Sequence, residues 1–295
     1  MEFRQIRYFL EIHRQGSFSK AASALGLTQP ALSRQIAVLE KELGHTVFER
    51  NTRELFLTEA GRRLLEKAIP LQDLWKETLE SVSNLESGNP DRSIQGDFRI
   101  STGGTMAAYV LPSLIRNLRI SHPDLTLQII EGDLRTSRDA VLWGDADLGI
   151  LTEKEYHGEL EYRTFLEDEI VPVVAREHKL ASRKKIAIKD LLREDFVFYH
   201  PHSAIRNTIE DHLQKQGIRF SFKVSMELRS VDAVIRSVEA ELGIGFVSRR
   251  SVGSSLHVLP VRELIAPRKF HISWRKGRPG LLPLVEVLLD CASNL

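Results

Sequence analysis

At 295 residues the chain is long enough for two or three compact units, and a hydrophobic fraction of 42% is ordinary for a globular protein. Lys and Arg number 41 against 40 Asp and Glu, a formal net charge of +1, so bulk charge excludes nothing and announces no nucleic-acid partner; any electrostatic footprint has to be local. A single cysteine, Cys291, excludes an intrachain disulfide and a multi-cysteine zinc framework. The opening segment MEFRQIRYFLEIHRQG lacks the apolar core of an export signal, and no stretch approaches membrane-spanning length without charge, so the expectation is a cytoplasmic protein with no membrane partner.

Phe3, Ile6, Phe9, Leu10 and Ile12 space a first helix with Gly16 as its stop. Ser17 is placed to cap a second, in which Ala21, Ala22 and Leu25 form an apolar stripe small enough for close packing, before Gly26 ends it. Phe9 and Phe18 read as core beneath these helices rather than as stacking platforms. Thr28 caps a third helix, where Pro30 is tolerated because the amide it lacks has no partner in the first turn. Leu32, Ile36, Leu39 and Leu43 alternate by four and three and share a buried face, which puts Pro30, Arg34, Ala37 and Lys41 on the far side, flanked by Gln29 and Ser33.

Polar and basic groups thus gather at the leading end of a helix anchored by its opposite face. That suits a recognition helix in the major groove, where Gln pairs with adenine and Arg with guanine. Beyond Gly44, HTVFERNTRELFLT reads as two short strands around a polar turn, with Arg50 and Arg53 offered to phosphates. The candidate DNA contacts are Ser17, Lys20, Thr28, Gln29, Pro30, Ser33, Arg34, Arg50 and Arg53.

The run LTQPALSRQIAVLEKELGHTVFERNTRELFLTEAG is similar to the winged helix-turn-helix signature of LysR-type transcriptional regulators, from its Gln-Pro-Ala-Leu-Ser-Arg opening to its Leu-Thr-Glu-Ala-Gly exit. The resemblance implies a regulator that binds a double-stranded DNA operator under the control of a small-molecule effector and self-associates as a dimer of dimers. RNA polymerase is then a further candidate partner. The DNA-binding domain would occupy residues 1–58.

From Thr58 a long helix is expected over residues 59–86. Leu64, Ala68, Leu71, Trp75, Thr78, Val82 and Leu85 fall on a strict three-four alternation, either a coiled-coil seam or one face of a helix packed on its own chain. A two-fold pair of reading heads matches a pseudo-palindromic operator and favours the seam. Pro70 lies inside this pattern and should kink or divide the helix.

Residues 87–95 read as a hinge, rich in Gly, Asn, Pro and Ser. After it strands and helices alternate: strands over Phe98–Ile100, Leu125–Ile130 and Asp147–Leu151 with helices over Leu111–Leu118 and Arg135–Trp143, then a second such run from Ile170 to Ser248, a late strand Phe270–Trp274 and a closing helix Leu281–Cys291. The order resembles the periplasmic-binding-protein-like effector domain of the same family. The fold class expected is an α/β effector domain of two lobes preceded by a mainly α winged helix-turn-helix domain and a long dimerisation helix. Lobe I would take residues 96–165 and 265–295, and lobe II residues 166–264.

Ligands of open α/β sheets sit beyond the carboxyl ends of the strands. The first such end is Ser101-Thr102-Gly103-Gly104-Thr105, whose hydroxyls and glycines suit an anion, and the family resemblance points to Thr102, Gly103 and Thr105. On the facing lobe His202, Ser203 and Arg206 follow a strand; Thr152 and Phe246 end others. Gly132 lies between Glu131 and Asp133, two carboxylates that would repel a simple anion, suit the amino group of an amino-acid-like effector, or face solvent. The effector class, anionic or amino-acid-like, stays open. His200 and His202 lack further ligands at metal-binding spacing. No nucleophile elbow or Gly-Lys-Ser phosphate loop is present, so no cofactor and no enzyme chemistry is expected.

Overall fold

The computed structural model describes residues 1–50, 55–83, 94–152, 157–201 and 203–293, and the chain divides into two compact units, Met1–Asp91 and Arg92–Leu295.

In the first unit α1 (Phe3–Gln15), α2 (Phe18–Ala24) and α3 (Gln29–Leu43) precede a two-stranded antiparallel wing, β1 (Phe48–Arg50) and β2 (Leu55–Leu57), and a long helix α4 (Glu59–Ser83). Ile6, Phe9, Ile12, Ala21, Ala22, Leu32, Ile36 and Leu39 form one core with Val47 and Phe48 of the wing. Ring centroids of Phe9 and Phe18 lie 5.2 and 5.6 Å from that of Phe48, so aromatic packing fixes the wing against the helices. Leu43 departs from the expected buried face: it is 37% exposed, because α3 ends there and Gly44 turns the chain away at φ 71°.

The wing is joined to α4 by a double use of Thr58. Its hydroxyl donates to the Thr46 carbonyl at 2.7 Å and accepts from the Gly61 amide at 2.9 Å. At Gly61 a β-carbon would stand 2.1 Å from the Val47 carbonyl oxygen, so only glycine allows this approach. Leu65, Ala68 and Ile69 bury the first turns of α4 in the core. The helix then runs past Pro70 without dividing. Beyond it Leu71, Leu74, Trp75, Leu79 and Val82 are exposed, although Trp75 lies 4.8 Å from the Phe3 ring. Leu85 lies outside the described residues.

The second unit contains β3 (Gly96–Thr102), α5 (Gly104–Tyr109), α6 (Leu111–Ser121), β4 (Leu125–Glu131), α7 (Leu134–Leu142), β5 (Leu148–Leu151) and β6 (Leu160–Ala175), followed by β7 (Asp195–Tyr199), α8 (Ala204–Lys215), β8 (Lys223–Leu228), α9 (Val231–Glu239), β9 (Gly245–Ser248), β10 (Leu256–Val258), β11 (Ala266–Arg275) and α10 (Leu282–Ser293). Its main sheet runs β10-β6-β11-β5-β3-β4, with β9 also paired to β6. β3 is parallel to β4 and β5, as βαβ crossovers require, whereas β11 runs antiparallel to β5 and β6.

Two apolar cores lie along this sheet. One joins Ile100, Leu111, Leu114, Leu118, Leu148 and Ile150 to Phe270, Ile272 and the closing helix. The other joins Ile170–Val174, Phe196–Tyr199, Ile205, Ile209, Val234 and Phe246. β6 and β11 contribute to both. These two paired strands therefore connect the lobes, and β6 begins ten residues earlier than the apolar run at Ile170 suggests, at Leu160. On them Asp168 and Arg268 sit opposite each other in register.

Candidate nucleic-acid interface and effector cleft

The leading end of α3 is built by two capped helix starts. Ser17 accepts from the Lys20 amide at 3.5 Å, and Thr28 accepts from the Ala31 amide at 3.4 Å. The Ser19 hydroxyl lies 3.4 Å from Gln29 Oε1, so the side chain that would read a base is approached from α2. Lys20, Thr28, Gln29, Pro30 and Arg34 are exposed, while Ser17 and Ser33 are half-buried. With Leu32, Ile36 and Leu39 buried behind it, this surface is polar, basic and rigidly held. Arg50 closes β1 opposite Leu55; Arg53 lies outside the described residues.

In the second unit a cavity of about 390 Å³ opens where strands β3, β4 and β5 end and faces β7, α8 and α9 of the other lobe. Of the residues expected there, Gly103, Thr105, Gly132, Thr152 and Ser203 line it. Four others do not. The Ser101 hydroxyl donates to the Ile130 carbonyl at 3.3 Å and the Thr102 hydroxyl to the Ile150 carbonyl at 2.8 Å. Both are completely buried, because β3 is flanked on both edges and the neighbouring strands supply acceptors.

Arg206 is turned away by its own ion pairs, to Glu210 and Glu227 at 2.8 Å each, with a further hydrogen bond to the Tyr199 carbonyl. Phe246 is completely buried among Phe196, Phe198 and Phe222, whose rings lie 5.5–6.1 Å from its own. The strand-end rule located the level of the cleft, but a bulky apolar side chain in the middle of β9 belongs to the core. His202 lies outside the described residues.

The sequence left unassigned the groups that give the cleft its chemistry: Ser137, Tyr199, Arg229 and Arg268 line it, as does His200, weighed above only as a metal ligand. Arg229 follows the end of β8 and obeys the strand-end rule. Arg268 carries no local signal, since a charged residue in a strand reads as solvated surface. Its Nε donates to Asp168 Oδ2 at 2.9 Å, while Nη2 lies 2.8 Å from the same oxygen without the alignment of a hydrogen bond. Ser248 donates to Asp168 from the other side, at 2.8 Å to Oδ2. The guanidinium lies over the Phe270 ring, 4.6 Å from its centre. Burial lowers the Arg268 pKa and raises that of Tyr199, in each case by disfavouring the charged form.

At the lobe I wall, Asp133 caps α7 by accepting from the Thr136 amide at 2.7 Å, which with the Thr136 hydroxyl holds its pKa below the ordinary carboxylate value. The Glu131 carboxylate folds over Gly104, where a β-carbon would meet it at 2.7 Å. Among the described residues no group of three or more His, Cys, Asp and Glu is placed to hold a metal ion, and no helix is long and apolar enough to cross a membrane.

A winged helix-turn-helix followed by a two-lobed domain with a polar cleft is the build of a ligand-responsive transcriptional regulator. Residues 3–62 match the family described as bacterial regulatory helix-turn-helix protein, lysR family, and residues 91–294 match the LysR substrate binding domain. The chain belongs to the LysR family: it is a DNA-binding transcriptional regulator with an effector-binding domain, not an enzyme. A probable RuBisCO transcriptional regulator of Emiliania huxleyi is 33% identical over 98% of this chain and 96% of its own. Full-length OxyR from Pseudomonas aeruginosa has a similar fold, with a TM-score of 0.74, 21% identity and coverage of 99% of this chain and 94% of that one. Full-length CbnR complexed with its target DNA matches with a TM-score of 0.62, 20% identity and coverage of 99% of this chain and all of that one.

Proposed function

We propose that α3 reads operator DNA through Gln29, Ser33 and Arg34, with Ser17, Lys20, Thr28, Pro30, Arg50 and Arg53 positioning it against phosphates and sugars. Two copies paired along α4 would present two such helices to a pseudo-palindromic site, and pairs of dimers would form the working tetramer in the cytoplasm. Domain limits at residues 1–58, 59–86 and 96–295 fit this reading. So does the single observation that carries it: the leading end of α3 is exposed and polar while Leu32, Ile36 and Leu39 behind it are buried. The structure of CbnR with its target DNA offers a parallel for a chain of the same fold.

Control belongs to the interlobe cleft. A small molecule held by Gly103, Thr105, Gly132, Thr152 and Ser203 would favour one arrangement of the lobes, and it shifts that equilibrium only by its differential affinity for the two arrangements. A changed lobe arrangement alters the spacing of the reading heads, the bend in the operator and the surface offered to RNA polymerase. Footprinting of the protein on its own upstream DNA tests the reading. Two protected half-sites are expected, with spacing or bending altered by a cleft ligand. Footprints identical with and without every ligand that binds the cleft would overturn the switch while leaving DNA binding intact.

A further inference from the structure

Three buried polar atoms on the cleft lining make no hydrogen bond among the described residues: Ser137 Oγ, Tyr199 Oη and Arg268 Nη2. Such atoms are rare in folded proteins, because each forfeits its hydration without a replacement. Here they occur in one cavity, two of them on side chains at most 4% exposed at the junction of the lobes. Tyr199 and Arg268 both present donors, and the two interact electrostatically. Ser203, the N-cap of α8, makes no capping hydrogen bond with its side chain and also lines the cavity. The floor thus offers hydroxyls without a partner beside a guanidinium whose Nη2, though 2.8 Å from Asp168, is not aligned to donate to it.

The charges limit what that acceptor is. Arg229 and Arg268 are the guanidinium groups of the lining, with His200 beside them, against Glu131 and Asp133 on its wall and Asp168 directly behind Arg268. Three carboxylates outnumber two guanidinium groups. That balance repels a dianionic phosphate about twice as strongly as a single carboxylate, and the smaller repulsion is the one that hydrogen bonds from the floor can offset. Asp133 is occupied in capping α7, so Glu131 is the acceptor left on the opposite wall. A cavity of about 390 Å³ is at the small end for ligand sites.

We propose that the cleft receives a small compound with one carboxylate, bound at the floor by the Tyr199 hydroxyl and Arg268 Nη2, and with a hydroxyl or ammonium group at its other end that donates to Glu131. This rests on the reading of the cleft as the effector site, and it deepens that reading by naming the ligand class and the groups that select it.

Tyr199→Phe tests it cleanly, since the hydroxyl it removes makes no hydrogen bond among the described residues and the variant keeps the packing. The chain and its variant are titrated calorimetrically with hydroxy acids (lactate, glycerate, quinate), with amino acids, with the methyl esters of both, and with glycerol phosphate. Binding of at least one hydroxy or amino acid is expected, lost in its ester and weakened about tenfold by Tyr199→Phe. The same variant, without ligand, should melt no lower than the parent, because a buried unsatisfied hydroxyl has been removed. Glu131→Gln then separates the two ends: it weakens an amino acid more than a hydroxy acid. Binding of glycerol phosphate or of the esters in preference to the acids overturns the carboxylate assignment, and so does silence across the panel, but neither touches the cleft. Binding that Tyr199→Phe, Glu131→Gln and Thr152→Val all leave unchanged overturns the cleft reading itself.

Discussion

The hydroxyl of Tyr109, at the end of α5, donates a hydrogen bond to the carboxylate of Asp232 in the first turn of α9 and so ties one lobe to the other. Burial and then this hydrogen bond push the Tyr109 pKa up to about 12 from 10.0. A raised folded-state pKa stabilises the fold fully below the unfolded value, and the contribution is lost as pH rises through the folded one. Tyr109→Phe should therefore lower stability by about 1 kcal/mol near neutral pH. The gap in melting temperature between parent and variant should close as pH rises from 10 towards 12. A gap that widens over that interval would contradict the assignment.

Gly61 lies where a side chain would strike the Val47 carbonyl, 2.1 Å from the β-carbon position. Gly61→Ala must push α4 from the wing or distort β1, and overpacking of this kind destabilises by about 1–3 kcal/mol. Calorimetry of the full chain should show the first unit melting earlier with the second unchanged.

Much of the first unit was legible because its signals are local. The Ser17 and Thr28 caps and the spacing of Leu32, Ile36 and Leu39 fix helices from neighbouring residues alone. Leu43 shows the limit, since periodicity does not say where a core ends. In the second unit β4 and β7 follow from their apolar residues and β8 from the alternation of Val224, Met226 and Leu228 with polar neighbours, whereas the cleft does not follow from strand ends alone. Ser101 and Thr102 look like ligands in sequence but bond their neighbours in the sheet. Asp168 and Arg268 meet across one hundred residues of chain, and one sequence holds no trace of that pairing.

That pair supplies another expectation. Asp168 is hydrogen-bonded by Ser248 and Arg268 and buried with them. Asp168→Ala leaves the Arg268 guanidinium buried without its countercharge, a loss of about 3–5 kcal/mol. Denaturant unfolding should report it in the second unit. A loss below about 1 kcal/mol, the worth of an exposed pair, would mean that water reaches Arg268.

On α4, Leu71 and Val82 fall on the expected seam and are 43% and 58% exposed. Replacing both with Glu should dissociate the dimer and leave the first unit folded, since Leu65, Ala68 and Ile69 hold its core without them. Sedimentation together with circular dichroism separates the two effects. An unchanged oligomer would place the pairing surface elsewhere.

Arg34 is exposed near the leading end of α3. Arg34→Ala should weaken operator binding by about 1–3 kcal/mol and relax preference at one base pair. Uniform weakening on unrelated DNA would make Arg34 a phosphate contact instead.

The most direct measurement is sedimentation of the full chain with a labelled fragment of its own upstream DNA, at low salt and again as salt is raised. Paired copies inserting α3 into successive major grooves predict a complex containing at least two chains per site, with affinity falling steeply as salt displaces the phosphate contacts. A chain that sediments as a monomer and leaves the DNA free at every salt concentration would contradict the account.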